Sequence, residues 1–406
     1  MKKDMKLKLV IFGCLFLLPQ LALAGVRILP LADLQILGGN SYFEGERSSF
    51  KGNIYLDIVP ALEFSDRFYL LPRYSGSYAG NQEAGELESG EHLLQEIQSH
   101  DLSLKLINNF RPDLKAKAKI GYARELTIET EDESWGNGLY DYDQTTGSLE
   151  LEKISTKGRI PFTISGGGSF YTVRFPNYDS LASGSDTSTA GLESVGKDIQ
   201  DYDAKEIFVE TDLAISPNII SKAGYIYTHK GYADQRLVTA SGEYESVKRE
   251  DDVHDLDLSL NYSLLAKIRA TLGLSYQLRL NRSNQNHYDA SRYEFIPNFY
   301  SYTQHSIGPE ITLYLPYSLT LFLSYEYERK DYQDRLIQDK EGEYGDNHLY
   351  LRTHTANLSL SYPLRRNLYL KAETGYKKAG SNMEYEEVYR YNYTCGHYLF
   401  GLSYEY

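Results

Sequence analysis

The 406-residue sequence is short of cysteine: Cys14 and Cys395 are the only two. Cys14 sits in an apolar stretch near the start, so once that stretch is removed no intramolecular disulfide can form. Long hydrophobic runs are equally scarce. Beyond residue 24 nothing approaches the ~20 consecutive apolar residues of a membrane helix, which leaves a water-soluble fold or a closed barrel as the ways to satisfy the backbone. Signatures of catalysis are missing too: there is no G-x-S-x-G, H-E-x-x-H, C-x-x-C or phosphate loop. No catalytic residues, metal site or cofactor are therefore expected, and the reading is not an enzyme. Positive charge is in deficit, with 42 Lys and Arg against 56 Asp and Glu and a net charge of −14. That balance argues against nucleic acid as a partner.

What is present begins with MKKDMKLKLVIFGCLFLLPQLALA. A basic start, an apolar run from Leu9 to Leu23 and the small-residue ending Ala22-Leu23-Ala24 predict a secretory signal peptide over 1–24, cleaved before Gly25. Pro19 interrupts the stretch and speaks against a retained helix. Residues 25–406 are then expected to form one domain. The chain has 38 tyrosines, one tryptophan and three methionines. Heavy tyrosine use suits a fold with much wet–apolar boundary, because the ring is apolar and its hydroxyl wants water.

Patterning supplies the rest. In HDLDLSLNYSLLAKIRATLGLSYQLRLN (254–281), Leu256, Leu258, Leu260, Tyr262 and Leu264 alternate with Asp255, Asp257, Ser259, Asn261 and Ser263. After a turn at 265–267, Ile268 to Leu280 resume the alternation against Arg269 to Asn281. Period-two patterning is the strand signal. It recurs in 115–129 (with Arg124 as the one charged exception on the apolar face), in 319–330 and in 355–376. Tight turns are read at VPALEFSD, NFRPD, STKGR, ISPN, LLAK, LPYS and YPLRRN. Longer polar connections fall near 44–49, 79–94, 131–144, 176–203, 233–252, 283–302, 333–348 and 381–389. Seven tight turns and eight longer loops join sixteen strands, with fourteen or eighteen as alternatives. The first strand alternates poorly around Pro30 and Gly38-Gly39. At Ser165-Gly166-Gly167-Gly168-Ser169 the apolar phase shifts to Tyr171, Val173 and Phe175, which predicts a β-bulge. The Ser/Gly/Asp-rich 176–203 reads as a surface loop or as a piece folded inward.

The fold class expected is all-β, a transmembrane antiparallel up-and-down β-barrel. The apolar faces are five to seven positions long and carry almost no mid-strand charge, which would cost about 2–4 kcal/mol against lipid. Tyr276, Tyr325, Tyr327, Tyr376, Tyr398, Tyr404 and Tyr406 cluster towards strand ends as an interfacial girdle does. The chain ends HYLFGLSYEY, with Tyr398, Phe400, Leu402, Tyr404 and Tyr406 at alternate positions. This ending resembles the C-terminal signature of bacterial outer-membrane β-barrel proteins, a porin-like group, and the signal peptide and hairpin layout extend the likeness over the whole chain. The resemblance implies that the barrel assembly machinery reads this last strand, that the protein sits in the cell outer membrane of a Gram-negative bacterium, and that outer-membrane lipid is a partner. No specific porin family follows, since Pro-Glu-Phe-Gly-Gly, a plug domain and preceding repeat domains are all absent.

The other face is polar, and its charges are the candidate pore lining. Lys115, Lys117 and Lys119 form a ladder that Glu125 and Glu129 continue. Arg269, Arg279 and Lys371 add positive charge; Asp255, Asp257, Glu326, Glu328 and Glu373 add negative charge. Either these set ion selectivity in a water-filled pore, or they pair and fill the interior. His254-Asp255 reads as a solvated rim pair. The function expected is passive passage of small hydrophilic solutes with mild cation preference. Export of a polymer such as an exopolysaccharide is the alternative, suggested by inward-parity Tyr55, Tyr69, Tyr314, Tyr369 and Tyr393; a closed surface scaffold or adhesin is another. Homo-oligomers are common among porins.

Overall fold

The computed structural model describes residues 26–44, 49–83, 94–128, 133–156, 158, 160–178, 198–266, 268–386 and 389–406. The signal-peptide reading, Glu129 and most of 176–203 lie outside these residues. The strands are β1 (Arg27–Phe43), β2 (Ser49–Ser65), β3 (Phe68–Glu83), β4 (Leu94–Arg111), β5 (Leu114–Ile128), β6 (Tyr142–Ser155), β7 (Phe162–Arg174), β8 (Tyr202–Ser216) and β9 (Ile219–Val238). They continue as β10 (Tyr244–Leu265), β11 (Arg269–Ser283), β12 (His287–Asp289), β13 (Glu294–Ile296), β14 (Tyr302–Tyr314), β15 (Thr320–Gln338), β16 (Tyr344–Arg365), β17 (Leu368–Ser381) and β18 (Tyr393–Glu405). Sixteen of them close into one antiparallel barrel in which each strand pairs with its chain neighbours and β18 returns to β1; β12 and β13 form a separate hairpin between β11 and β14.

Closure follows from what the two faces can and cannot meet. On β10, Leu258, Leu260, Tyr262 and Leu264 are exposed, while Asp251, Val253 and Asp255 are buried on the other side. The same division runs round the wall, with Ile36, Ile120, Leu149, Ile207, Leu274 and Phe400 facing out. An apolar side chain left in water forfeits about 1.5–3 kcal/mol, so a continuous outward band of this kind demands an apolar solvent. With no water in that solvent, every strand edge must be paired, and a cylinder is the arrangement that leaves none. No helix among the described residues is long and apolar enough to cross a membrane.

The seam between first and last strands depends on glycine. A Cβ on Gly401 would run into the Ile36 carbonyl, and one on Gly39 into the Tyr398 carbonyl. Eleven consecutive register pairs, from Asp33–Glu405 to Phe43–Cys395, then zip β1 to β18. Tyr398, Phe400, Leu402, Tyr404 and Tyr406 all point outward from this seam and are exposed.

Four sequence expectations change. No bulge occurs at 165–169: β6 and β7 stay in register from Asp143–Arg174 to Ser155–Phe162. Phe162, Ile164 and Phe170 face out, and Tyr171 and Val173 share a face with inward Glu150 and Glu152, so the apparent phase shift marks large residues on the lumen side. The glycines there make room, since a Cβ on Gly167 would lie 2.8 Å from Cζ of Phe208. The connections read at 233–252 and 333–348 are mostly strand; only 239–243 and 339–343 remain between β9 and β10 and between β15 and β16. Polar residues are at home there because the strands run on beyond the apolar band. The turn read at VPALEFSD shrinks to Asp66-Arg67, with Pro60 inside β2 opposite Pro30 of β1. His254 and Asp255 are not a pair, because adjacent strand residues point to opposite faces.

Above the outward apolar band lies a ring of tyrosine–histidine dyads. Tyr74, Tyr225, Tyr276 and Tyr325 meet Nδ1 of His100, His254, His305 and His354 at 3.0, 2.8, 2.8 and 2.7 Å. Arg124 belongs to the same level, 3.6 Å from Asp143, which also accepts a 2.6 Å bond from the Tyr122 hydroxyl. This resolves the one charged exception on the apolar face: it sits where the wall turns polar. Amphipathic rings with a bonded polar tip are the side chains suited to a headgroup boundary.

Candidate lumen site

Residues in register share a face, so the inner wall can be followed strand by strand. Lys115 meets Glu152 at 2.8 Å, and Lys117 meets Glu150 at 2.7 Å and Glu152 at 2.5 Å. Lys119 stands beside Lys105 in register, and neither makes an ion pair among the described residues. Glu125 accepts a 3.0 Å bond from Ser99. Lys371 and Glu373 are joined through Gln35, at 3.3 and 3.1 Å, across a stretch of β18 where Gly401 offers no side chain to block the reach. Arg269 is exposed at the short-turn end, opposite Tyr314. Part of the charge is therefore paired along the wall, and part makes no ion pair among the described residues.

The unpaired part is grouped. Asp257 and Glu326 line a cavity of about 430 Å³ together with Glu210, Asp212 and Gln277. One lysine, Lys222, reaches Asp212 at 3.6 Å. Glu328 lies higher on β15 and accepts a 2.8 Å bond from Gln304. The result is an acidic surface on the inner faces of β8 to β15.

Towards the loop end, the inner wall changes character. A second cavity, about 440 Å³, is lined by basic and tyrosine side chains from β7 to β15. Arg279 holds both oxygens of Asp255, at 2.6 and 3.1 Å. Arg249 lies between the rings of Tyr232 and Tyr300, 4.3 and 4.1 Å from their centres, and binds both oxygens of Asp251. Lys330 sits 3.9 Å over Tyr302 and 4.9 Å from Tyr332, and Lys230 lies 5.2 Å over Tyr202. The expected inward tyrosines Tyr55, Tyr69, Tyr314, Tyr369 and Tyr393 do share the lumen face by register, but none of them lines this cavity. Its own tyrosines are hard to find by pattern because Tyr300, Tyr302 and Tyr332 lie in or beside segments with loop-like composition.

The loops above carry buried carboxyls with defined duties. Asp141, whose carboxyl burial pushes above its ordinary range, accepts from the Thr127 amide at 2.8 Å and from Asn177 at 3.2 Å. Asn177 also donates to the carbonyls of Gly136 and Gly138, tying the β7–β8 connection to the β5–β6 one. Among the described residues no cluster of His, Cys, Asp and Glu is placed to hold a metal ion.

The fold and its two-faced wall define a β-barrel of the outer-membrane type. No known family profile matches the chain, and no curated protein matches it. Among solved structures it is similar to in-vitro folded OmpT, an outer membrane protein of Vibrio cholerae, at 11% identity over 94% of this chain and 99% of that one, with a TM-score of 0.48. It is also similar to an anion-selective porin from Comamonas acidovorans, at 9% identity over 94% and 100% and a TM-score of 0.46. OpdQ of Pseudomonas aeruginosa shows 10% identity over 94% and 98%, with a TM-score of 0.45.

Proposed function

We propose that this barrel is a passive channel through which small hydrophilic solutes cross the outer membrane. The observation that carries the reading is the acidic surface of Asp257, Glu326 and Glu210, which no cation pairs with among the described residues and which borders open volume in the lumen. Charged groups that neither pair nor pack are costly in a dry interior and stable in a hydrated one. A sixteen-stranded wall is also wide enough to enclose an aqueous path. The short turns and both described chain ends lie at one end, which is the periplasmic end in barrels of this type. The acidic surface then lies on the periplasmic side of the basic one and favours cations in that half.

Single-channel recording in planar bilayers tests the reading. Discrete, ohmic conductance steps are expected from purified, refolded protein; a folded protein that inserts and conducts nothing overturns it. Polymer export remains the second reading, favoured by the aromatic and basic lining of the loop-end cavity. It predicts that a polysaccharide chain blocks the current for long dwell times.

A further inference from the structure

The loop-end cavity differs from the rest of the wall in how its cations are held. Lys115 and Lys117 are neutralised by glutamates at hydrogen-bond distance. Lys230 and Lys330 are instead held over the faces of Tyr202 and Tyr302, and neither makes an ion pair among the described residues. An aromatic face steadies an ammonium through its quadrupole and leaves the net charge in place. A carboxylate cancels it. The cavity therefore keeps positive charge at defined positions.

The balance can be taken further. Its lining includes Lys230, Arg249, Arg279 and Lys330 against Glu206, Asp251 and Asp255, one positive charge in excess. Glu206 accepts bonds from Ser169 and Thr228. Arg249 and Arg279 are fixed by their aspartates, which leaves the two lysines as the adaptable donors. Tyrosine hydroxyls add neutral donors and acceptors around them, and the Glu206 carboxylate adds acceptors. The volume, about 440 Å³, lies within the ~300–1,000 Å³ of small-ligand sites.

We infer that this cavity is a binding site for a singly charged, hydroxyl-rich anion, a carboxylated sugar, whose carboxylate meets the uncancelled charge of Lys230 or Lys330 while the tyrosine hydroxyls and Glu206 hold the ring hydroxyls. The inference rests on the channel reading only for how the solute arrives. It also divides the lumen: an anion station towards the loops and an acidic surface towards the periplasm, so one solute meets both signs in sequence.

Titration calorimetry on the full-length protein folded in detergent tests this with D-glucuronate, D-glucose and acetate. Saturable glucuronate binding is expected, with glucose (ring without charge) and acetate (charge without ring) each weaker by about tenfold or more, the scale of one lost charge-assisted contact. Lys230→Met with Lys330→Met abolishes the preference, and Lys230→Arg with Lys330→Arg keeps it. Equal binding of glucose, equal binding of acetate, or no glucuronate binding overturns the site. So does a folded double Met variant that binds normally. Because the three-ligand comparison needs no variant, misfolding of the Met form leaves the test intact. Conductance separates the two readings: current without glucuronate binding sinks the site alone, and binding without current sinks the channel alone.

Discussion

Arg279 on β11 and Asp255 on β10 are register partners on the lumen face, joined by two hydrogen bonds of 2.6 and 3.1 Å. The aspartate is nearly covered, while the arginine keeps 38% of its side chain exposed. Removing the arginine strands a buried carboxylate. A dry pair broken this way costs about 3–5 kcal/mol and an exposed one about 0–1. For Arg279→Ala we expect about 1–3 kcal/mol, between those limits. Urea unfolding from lipid vesicles measures it. Arg279→Ala with Asp255→Ala should recover most of the loss, since no orphaned charge remains.

The acidic surface should behave in the opposite way. Asp257→Asn with Glu326→Gln removes two charges that no cation among the described residues neutralises, so stability should hold or rise slightly. The cation-to-anion permeability ratio should fall. Reversal potentials in a potassium chloride gradient read this directly, and an unchanged ratio would mean that the narrowest part of the path lies elsewhere.

Closure of the barrel can be tested at Gly401. Any side chain there meets the Ile36 carbonyl of the neighbouring strand, and neither backbone can give without breaking ladder bonds on both sides. Gly401→Val is expected to abolish the compact, heat-sensitive band of folded barrels on cold gels. Gly147→Val, where nothing lies within 4 Å of the added carbon, is the matched control and should fold.

The β12–β13 hairpin carries a pH-dependent element outside the membrane. The His287 ring packs against Phe299 with centres 4.6 Å apart. Burial, with help from the nearby Arg335 charge, lowers its pKa below the ordinary 6.5, although Asp289 acts to raise it. Below about pH 6.5 the unfolded hairpin thus binds more protons than the folded one, so stability falls as pH drops through that value towards the folded pKa. Asp289 itself stays ionised in this window: burial would raise its pKa, but hydrogen bonds from Ser291, Tyr344 and the Arg292 amide hold it below 3.8. Protection of the amides across 285–299, taken relative to the intrinsic base-catalysed exchange rate at each pH, should be lower at about pH 5 than at about pH 7.5. His287→Phe should flatten that difference.

Much of the wall is legible in the residue pattern alone. Leu256 to Leu264 and Ile268 to Leu280 alternate strictly because each position must choose between lipid and water, and that choice is written in residue type. Glycine-rich 165–169 misleads for the same reason inverted. Tyr171 and Val173 are bulky, and bulk alone does not say whether a side chain meets lipid or fills the lumen. The long ends of β9, β10, β15 and β16 look like loops because polar residues on both faces remove the alternation once a strand rises above the apolar band. Tyr302 and Tyr332 are hidden with them.

The chain alone determined the solvent on each side of the sheet, the even strand number with alternating short and long connections, and an outward-facing aromatic last strand. These follow from local pattern, which period-two geometry converts into faces without reference to any distant residue. Which charges neutralise one another was decided only by the closed barrel. Lys117 finds two glutamates while Lys330 finds an aromatic ring, and the difference lies in what the register and tilt of the neighbouring strands bring within reach. Coulomb energy falls with distance, and those distances exist only after the sheet has wrapped.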